Sequence, residues 1–233
     1  MEIRWLGHSA FEIKIGGKTL LTDPLISSNP KAGVTLDQIT KVDYILLSHG
    51  HFDHVGDTVA LCKKTGAKLI APPELFVTLS KQGVEGIFAN PTGWLPLEGI
   101  RVAMTPASHS AALGLETGEI SCAGNPVGFV IEGEGKRIYF AGDTGLSADL
   151  KLVIGEYFKP DIALLPISGG FVLDPEQAAV AAGWIQPKVA IPMHYDSLPM
   201  LPQVDPQDFA RMASSKAPGT RVVVLKPGES YRE

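Results

Sequence analysis

The sequence predicts an α/β fold, because short apolar runs that are typical of strands alternate along the chain with the periodic patterns of helices. Its 233 residues are within the range of one large α/β domain, and no linker-like or low-complexity stretch divides them. Hydrophobic residues make up 45% of the chain and charged residues 19%, a balance that is typical of folded proteins. We therefore expect a single domain over residues 1–233.

Three strands are expected at the start of the chain, over residues 2–6, 10–15 and Lys18–Thr22. A Gly-Gly pair separates the second strand from the third, which indicates a hairpin. Val42–Leu47 is short, apolar and rich in β-branched and aromatic residues, so it is expected to be a buried strand. The other elements expected in the first half are helix 57–65, strand Ala67–Ala71, helix Pro73–Gln82 and strand Arg101–Thr105.

The second half continues the alternation. Val127–Glu132 and Arg137–Ala141 flank the sequence EGEGK and are expected to form a hairpin. Asp174, Pro175 and Gln177 have the spacing of a capping box with proline at the first helical position, so a helix is expected to begin here. The other elements expected are helix Ala148–Phe158, strand Asp161–Ile167, strand Val189–Met193, helix Pro206–Ser215 and strand Arg221–Leu225.

The two halves of the chain share a plan. FEIKIGGKTLLTD (11–23) and FVIEGEGKRIYFAGD (129–143) are both predicted hairpins that end in an aspartate. Their spacings differ by two residues, so the similarity suggests an internal duplication without establishing one.

The charge and hydropathy of the chain argue against several classes of function. The net charge is −5 and no basic cluster is present, which argues against nucleic acid as a partner because phosphate binding needs a positive surface. No apolar run approaches the ~20 residues that a membrane helix needs, so no membrane association is expected. The first residues, MEIRWLGHSAF, lack the layout of a signal peptide, and the expected location is therefore the cytoplasm.

The segment SHGHFDH, at residues 48–54, is the strongest functional signal in the chain. It holds three of the chain's six histidines, His49, His51 and His54, and an aspartate, Asp53, directly precedes the last of them. The segment follows a predicted buried strand, and the carboxyl ends of strands are where α/β proteins place ligand sites. In extended backbone, residues i and i+2 face the same side, so His49 and His51 are expected to point to one place. Imidazole and carboxylate groups together suit zinc, iron or manganese.

Three more candidate ligands directly follow predicted strands elsewhere in the chain. They are His109 in TPASHS, Asp143 in FAGDTG and His194 in IPMHYD. Taken alone, each is more often a structural histidine or a turn aspartate. Their equivalent positions at strand ends, together with the histidine-rich segment, favour a site that holds two metal ions.

The order and spacing of these residues resemble the metallo-β-lactamase superfamily along almost the whole chain. The resemblance implies a four-layer αβ/βα sandwich, in which two mixed β-sheets face each other with helices on the outer faces. It also implies a dinuclear metal centre at the edge of the sheets. The ligands that it implies are His49, His51 and His109 for the first metal, Asp53, His54 and His194 for the second, and Asp143 as a bridge between them.

Five shorter segments narrow the resemblance: WLGHSAFEI (5–13), LTDP (22–25), PASHS (106–110), PISGGFVLDPEQAA (166–179) and PMHYDS (192–197). They resemble a family of small metal-dependent hydrolases that is related to L-ascorbate-6-phosphate lactonase. The implied reaction is hydrolysis of an ester-like bond, in a lactone or a phosphodiester, by a hydroxide that bridges the two metals. Its partner is therefore a small-molecule substrate. Zinc is the first expectation for the two divalent ions, with manganese or iron as alternatives.

Two residues are candidates for catalytic roles. Asp53 is expected to orient the nucleophile or move its proton, a role that resembles the superfamily's. His8 follows the first predicted strand in a tight Gly-His turn. It is a candidate proton donor or substrate contact, with a structural histidine as the alternative.

Three further residues are expected to support the site. Asp23, at the end of the first hairpin, resembles the superfamily's aspartate that braces the histidine-rich loop. Tyr195 and Asp196 directly follow a candidate ligand and are candidates for the wall of a substrate pocket, with surface-loop positions as the alternative. The loops expected to determine specificity are 24–40, 88–97 and 111–126.

Two other functions stay open at this point. A protein with the same ligands could be a metal-binding scaffold or regulator without turnover, although degenerate relatives typically lose ligands. A di-iron oxidoreductase is the second alternative, although relatives of that kind usually carry a flavin module, which this sequence does not show. Assembly into a homo-oligomer also stays open, because the sequence has no feature that decides it.

Overall fold

The computed structural model describes all 233 residues of the chain. Fourteen strands form its framework. The first seven are β1 (Glu2–Gly7), β2 (Ala10–Ile15), β3 (Lys18–Thr22), β4 (Tyr44–Leu46), β5 (Lys68–Ala71), β6 (Gly86–Phe88) and β7 (Trp94–Leu97). The other seven are β8 (Ile100–Pro106), β9 (Val127–Gly133), β10 (Lys136–Phe140), β11 (Ile162–Pro166), β12 (Val189–Met193), β13 (Arg221–Val222) and β14 (Ser230–Arg232).

These strands form two seven-stranded sheets, in the orders β14-β1-β2-β3-β4-β5-β6 and β13-β12-β11-β10-β9-β8-β7. In the first sheet, β1 to β3 are antiparallel and β3 to β6 run parallel. In the second sheet, β7 to β10 are antiparallel and β10 to β13 run parallel. The two mixed sheets therefore follow one plan, with the hairpins 11–23 and 129–143 in matching positions.

Helices cover the sheets. The α-helices are α1 (Phe52–Val55), α2 (Thr58–Thr65), α3 (Pro73–Ser80), α4 (Pro175–Ile185) and α5 (Pro206–Lys216). A 3₁₀ turn lies at Leu36–Gln38 and a π-helix at Leu150–Phe158. Helices α2 and α3 contact β5, α4 contacts β11, and α5 packs on α4. The four-layer αβ/βα sandwich expected from the resemblance is confirmed. No helix combines the length and the apolar composition needed to cross a bilayer.

The alternation of side chains along the strands builds separate apolar layers. In β4, Leu46 belongs to the large cluster that includes both sheets, whereas Ile45 belongs to the cluster under α2 and α3. Phe11 of β2 and Phe140 of β10 meet edge to face, with ring centroids 6.4 Å apart. Full burial of one such ring contributes about 1.5–3 kcal/mol. The packing fixes one sheet against the other and so fixes the relative positions of their strand ends.

Three strands, β6, β7 and β14, were not expected from the sequence. β6 has only three residues, which is too short for a recognisable pattern. β7 contains Pro96 and lies at the edge of its sheet, where proline is tolerated because one side of the strand has no pairing partner. The expected loop 88–97 was therefore partly wrong, because its second half is this edge strand. β14 pairs with β1 across nearly the whole length of the chain, a contact that no local pattern reveals.

Two other expectations were wrong in detail. The last strand was expected over Arg221–Leu225, but it is shorter because regular pairing with β12 ends at Val222. The helix expected over Ala148–Phe158 is a π-helix, in which Lys159 N donates to Ile154 O, five residues back, over 2.8 Å. The short helix α1 was not expected, and the bounds of the other predicted elements differ by at most two residues.

The capping box at the start of α4 is present. Gln177 N donates to Asp174 Oδ1 over 2.7 Å, and Asp174 N donates to Gln177 Oε1 over 3.2 Å. We expect Asp174→Ala to lower the free energy of unfolding by about 0.5–2 kcal/mol, because it leaves the Gln177 N–H without its acceptor. Urea denaturation measures this, with the fully exposed Asp37 changed to alanine as the control. An unchanged urea midpoint for Asp174→Ala would contradict the expectation.

Candidate metal centre

Strands of both sheets bring the candidate residues to one edge of the sandwich. β1, β3 and β4 run in one direction, because β1 and β3 are each antiparallel to β2 and β4 is parallel to β3. β8, β10 and β12 likewise share a direction in the second sheet. Strands with one direction have their carboxyl ends at the same edge, so the loops that follow them lie close together. The candidate residues just after these strands are His8, Asp23, His49, His109, Asp143 and His194.

The first group of candidate ligands is formed by His49, His51 and His109. One ring nitrogen from each lies within 4.8 Å of the other two. His49 Nε2 is 2.9 Å from His51 Nδ1, and His109 Nε2 is 3.3 Å from the same His51 atom. The pKa of all three imidazoles is lowered, mainly by burial. The lowered pKa favours their neutral form. Neutral imidazole is the form that binds metal ions.

The second group surrounds Asp53. His54 Nε2 and His194 Nε2 lie 3.7 and 4.0 Å from Asp53 Oδ2. His8 Nε2 lies 3.1 Å from the same oxygen, so the structure adds His8 to the group. Burial first, and then the nearby His194, lower the pKa of His8 to about 3. His8 is therefore a neutral imidazole at neutral pH. One of its ring nitrogens donates a hydrogen bond and the other can only accept one.

Asp143 contacts both groups. Its Oδ1 is 3.3 Å from His54 Nε2, and its Oδ2 is 3.1 Å from His194 Nε2. The same Oδ2 is 3.5 Å from His109 Nε2, a member of the first group. The carboxylate thus lies between the two groups of histidines. The resemblance to the metallo-β-lactamase superfamily implies a bridging ligand at this place.

Asp23 lies beneath His54. Its Oδ2 accepts hydrogen bonds from His54 Nδ1 at 2.6 Å and from Ser48 Oγ at 2.5 Å. Its Oδ1 accepts a hydrogen bond from Ser48 N at 2.8 Å. Because Nδ1 of His54 is bound to Asp23, its Nε2 is the nitrogen that faces Asp53 and Asp143.

Three serines that were not expected as site residues contact three of the other histidines. Ser48 Oγ is 2.8 Å from His49 Nδ1, Ser168 Oγ is 3.0 Å from His194 Nδ1, and Ser197 Oγ is 2.7 Å from His8 Nδ1. Each serine leaves the histidine's Nε2 facing the centre. Each of these serines lies within one to three residues of a strand end or a candidate ligand. Serine is so common in loops that this position alone does not identify a residue of the site.

The charges and unpaired atoms of the centre fit divalent cations. Burial raises the pKa of Asp143, but His194 and His54 outweigh it and hold that pKa well below its usual range. Burial lowers the pKa of His54, but Asp143, Asp53 and Asp23 raise it well above its usual range. Both shifts show that buried carboxylates here attract positive charge. Three buried atoms, His54 Nε2, His194 Nε2 and Asp143 Oδ1, have no hydrogen-bond partner. Nitrogen and carboxylate donors of this kind suit zinc, manganese or iron.

Backbone strain concentrates at the same edge. Seven residues other than glycine have a positive φ, and four of them, His8, Asp23, His194 and Asp196, lie at or beside the centre. Their φ values are 53°, 32°, 61° and 50°. Left-handed backbone at such residues costs of order 1–3 kcal/mol each and is retained mainly where it positions functional groups.

Tyr195 and Asp196, the candidates for a pocket wall, both line a cavity of about 540 Å³ beside the centre. His8 also lines this cavity, so it lies between the cavity and Asp53. Tyr195 stacks on Trp5 with ring centroids 5.0 Å apart. Of the loops expected to determine specificity, loop 24–40 contributes three residues to the cavity wall.

Fold and site together define an αβ/βα sandwich protein with a candidate metal centre at one edge. A family profile described as "Beta-lactamase superfamily domain" matches residues 2–194. A UPF0173 metal-dependent hydrolase of Methanopyrus kandleri is 47% identical over 232 residues, which cover 99% of each chain. A UPF0173 metal-dependent hydrolase of Caldivirga maquilingensis is 46% identical over 230 residues, covering 97% of this chain and 96% of its own. Among solved structures, the metallo hydrolase Igni18 of the archaeon Ignicoccus hospitalis matches with a TM-score of 0.88 and 36% identity, over 99% of this chain and 97% of the other.

The chain belongs to the metallo-β-lactamase superfamily and, within it, to the UPF0173 metal-dependent hydrolases. The relatives carry the name of an enzyme class, and the chain matches them over nearly its full length. This favours an enzyme over the scaffold that the sequence analysis left open.

Proposed function

We propose that this hydrolase cleaves an ester-like bond, in a lactone or a phosphodiester, of a small molecule at a dinuclear metal centre. The single observation that carries the proposal is the position of Asp143 between two groups of histidines. The residues that would hold the first ion are His49, His51 and His109, those for the second are Asp53, His54 and His194, and Asp143 would contact both.

Two divalent ions, when bound, would lower the pKa of a shared water toward ~7 and polarise the oxygen of the bond under attack. The protein's own contribution is then one of orientation. Burial raises the pKa of Asp53, but His54 and His8 hold it well below its usual range, so Asp53 is a carboxylate that can accept a hydrogen bond from the attacking water and orient it. His8 Nε2 contacts Asp53 Oδ2 and would keep that carboxylate in place.

Removal of metal tests the proposal. We expect EDTA-treated protein to lose at least about 100-fold of its activity toward bis(p-nitrophenyl) phosphate or toward simple lactones, because the chain alone supplies no nucleophile of comparable strength. Zn²⁺ or Mn²⁺ should restore the activity, with full recovery only at about two equivalents per chain.

A protein that still turns over these substrates after chelation would contradict the metal-dependent mechanism. Full recovery at one equivalent would contradict the dinuclear centre but not the hydrolase. The matched control is a mock treatment with the same buffer exchange and no chelator.

A further inference from the structure

The cavity beside the centre is enclosed by segments that are far apart in the chain. They are the end of β1, residues 31–33, residues 195–206 and residues 224–227. His8 is fully buried, borders the cavity and contacts Asp53 through Nε2. The cavity therefore lies next to the candidate metal centre.

One part of the cavity wall is apolar and partly aromatic. Trp5 and Tyr195 stack on each other, and Trp5 Nε1 donates to His8 O over 2.9 Å, which fixes the indole ring. Val204 and Val224 are half-buried and add aliphatic surface. Walls of this composition bind the apolar body of a small molecule, while a few polar groups select its orientation.

The charges in the cavity do not balance. Lys31 forms an ion pair with Asp196, so these two charges offset each other. Lys226, the other lysine of the wall, is exposed; its side chain has no ion pair, and its backbone N donates to Glu229 Oε2. The wall therefore carries one more positive than negative side chain, although the whole chain has a net charge of −5.

A buried amide lies behind one part of the wall. Asn29 Oδ1 accepts a hydrogen bond from Lys31 N at 3.0 Å, whereas Asn29 Nδ2 is buried and has no partner. Gly7 lines the cavity, and a Cβ at Gly7 would lie only 2.7 Å from that Nδ2. The amide therefore packs behind the wall at Gly7, where it is buried and has no acceptor within the protein.

We infer that this cavity binds a small organic anion, with its negative group at Lys226 and its apolar body against Trp5 and Tyr195. If the proposed function holds, on which this assignment rests, the cavity is the subsite for the acidic end of the substrate. Lys226 is then the residue that selects negatively charged substrates, and the half-exposed Lys31–Asp196 pair marks the cavity's outer rim.

Calorimetric titration of the metal-loaded protein with 1-naphthoate and with 1-naphthalenemethanol tests the inference, because the two probes share a ring system and differ in charge. We expect 1-naphthoate to bind at least about tenfold more tightly, as a charge-assisted hydrogen bond would provide. Lys226→Gln should remove this preference, and Lys226→Arg, which keeps the charge, should retain it. Lys151→Gln, which changes an exposed lysine of the π-helix, is the matched control and should leave the preference unchanged.

Equal binding of the two probes, or unchanged 1-naphthoate binding in Lys226→Gln, would overturn the inference. The titration is repeated on metal-free protein, because a carboxylate could instead bind the metals. Binding that needs the metals and ignores Lys226 would also overturn it. Turnover of bis(p-nitrophenyl) phosphate and of simple lactones is measured on the same preparations. Lys226-dependent binding without turnover refutes only the proposed function, whereas turnover without Lys226-dependent binding refutes only the subsite.

Discussion

An Asp143→Asn variant is expected to bind fewer metal ions than the wild-type protein and to lose at least about 100-fold in kcat/KM. Asp143 contacts histidines of both groups through its two oxygens, so the loss of its negative charge weakens both candidate metal positions at once. Metal content is measured by elemental mass spectrometry on protein purified without a histidine tag, since a tag binds metals itself. We expect about two ions per wild-type chain, and at least one fewer in the variant.

The matched control for this variant is Asp161→Asn. Asp161 precedes β11 and so lies at the opposite edge of the same sheet, where it accepts hydrogen bonds from Arg137 N and Lys188 Nζ. This control should keep its metal and its rate. If Asp143→Asn also kept two ions and the wild-type rate, Asp143 would have no role in the centre and the dinuclear proposal would fail.

The Asp23→Ala variant is expected to lose about 3–5 kcal/mol of unfolding free energy, the cost of removing one partner from a buried charged network. Alanine leaves His54 Nδ1, Ser48 N and Ser48 Oγ without their acceptor inside the protein. Because His54 also loses the contact that orients its ring, metal affinity should fall by about 10–100-fold. Urea denaturation of metal-free protein measures the stability, and titration with Zn²⁺ against a competing chelator measures the affinity.

Asp57→Ala separates these two effects. Asp57 is a largely buried carboxylate that accepts hydrogen bonds from Ile26 N, Ser27 N and Ser27 Oγ, none of them in a candidate ligand. Its replacement should also lower stability but leave the Zn²⁺ affinity close to that of the wild-type protein. If both variants lost metal affinity to the same extent, Asp23 would act through general stability and not by positioning His54.

The candidate ligands could be named from the sequence because their signal is local. His49, His51 and His54 are close together in one segment, and a strand with alternating sides followed by a turn brings their rings to neighbouring points. His109 and His194 each follow an apolar run that predicts a strand, and this shared position became a signal only beside the histidine-rich segment. The structure places all of them at one edge of the sandwich.

The supporting residues could not be named in the same way. Ser168 and Ser197 act on His194 and His8, and the second of these contacts joins residues 189 positions apart. Neither serine differs from an ordinary loop serine until the strands are assembled. The cavity could be predicted even less from the sequence. Its walls come from four distant segments, and its unpaired Lys226 follows the short strand β13.

The sequence by itself determined the alternation of strands and helices, the candidate ligands and their placement after strands, because these depend on spacing along a few residues of chain. The resemblance to the superfamily already implied the two groups of ligands and the place of Asp143 between them. Only the tertiary structure decided which serines hold the rings, and that His8 borders both Asp53 and a cavity with an unpaired lysine. The physical reason is that these relations depend on distances between the two sheets. Those distances are set by packing such as that of Phe11 against Phe140, which no stretch of sequence contains.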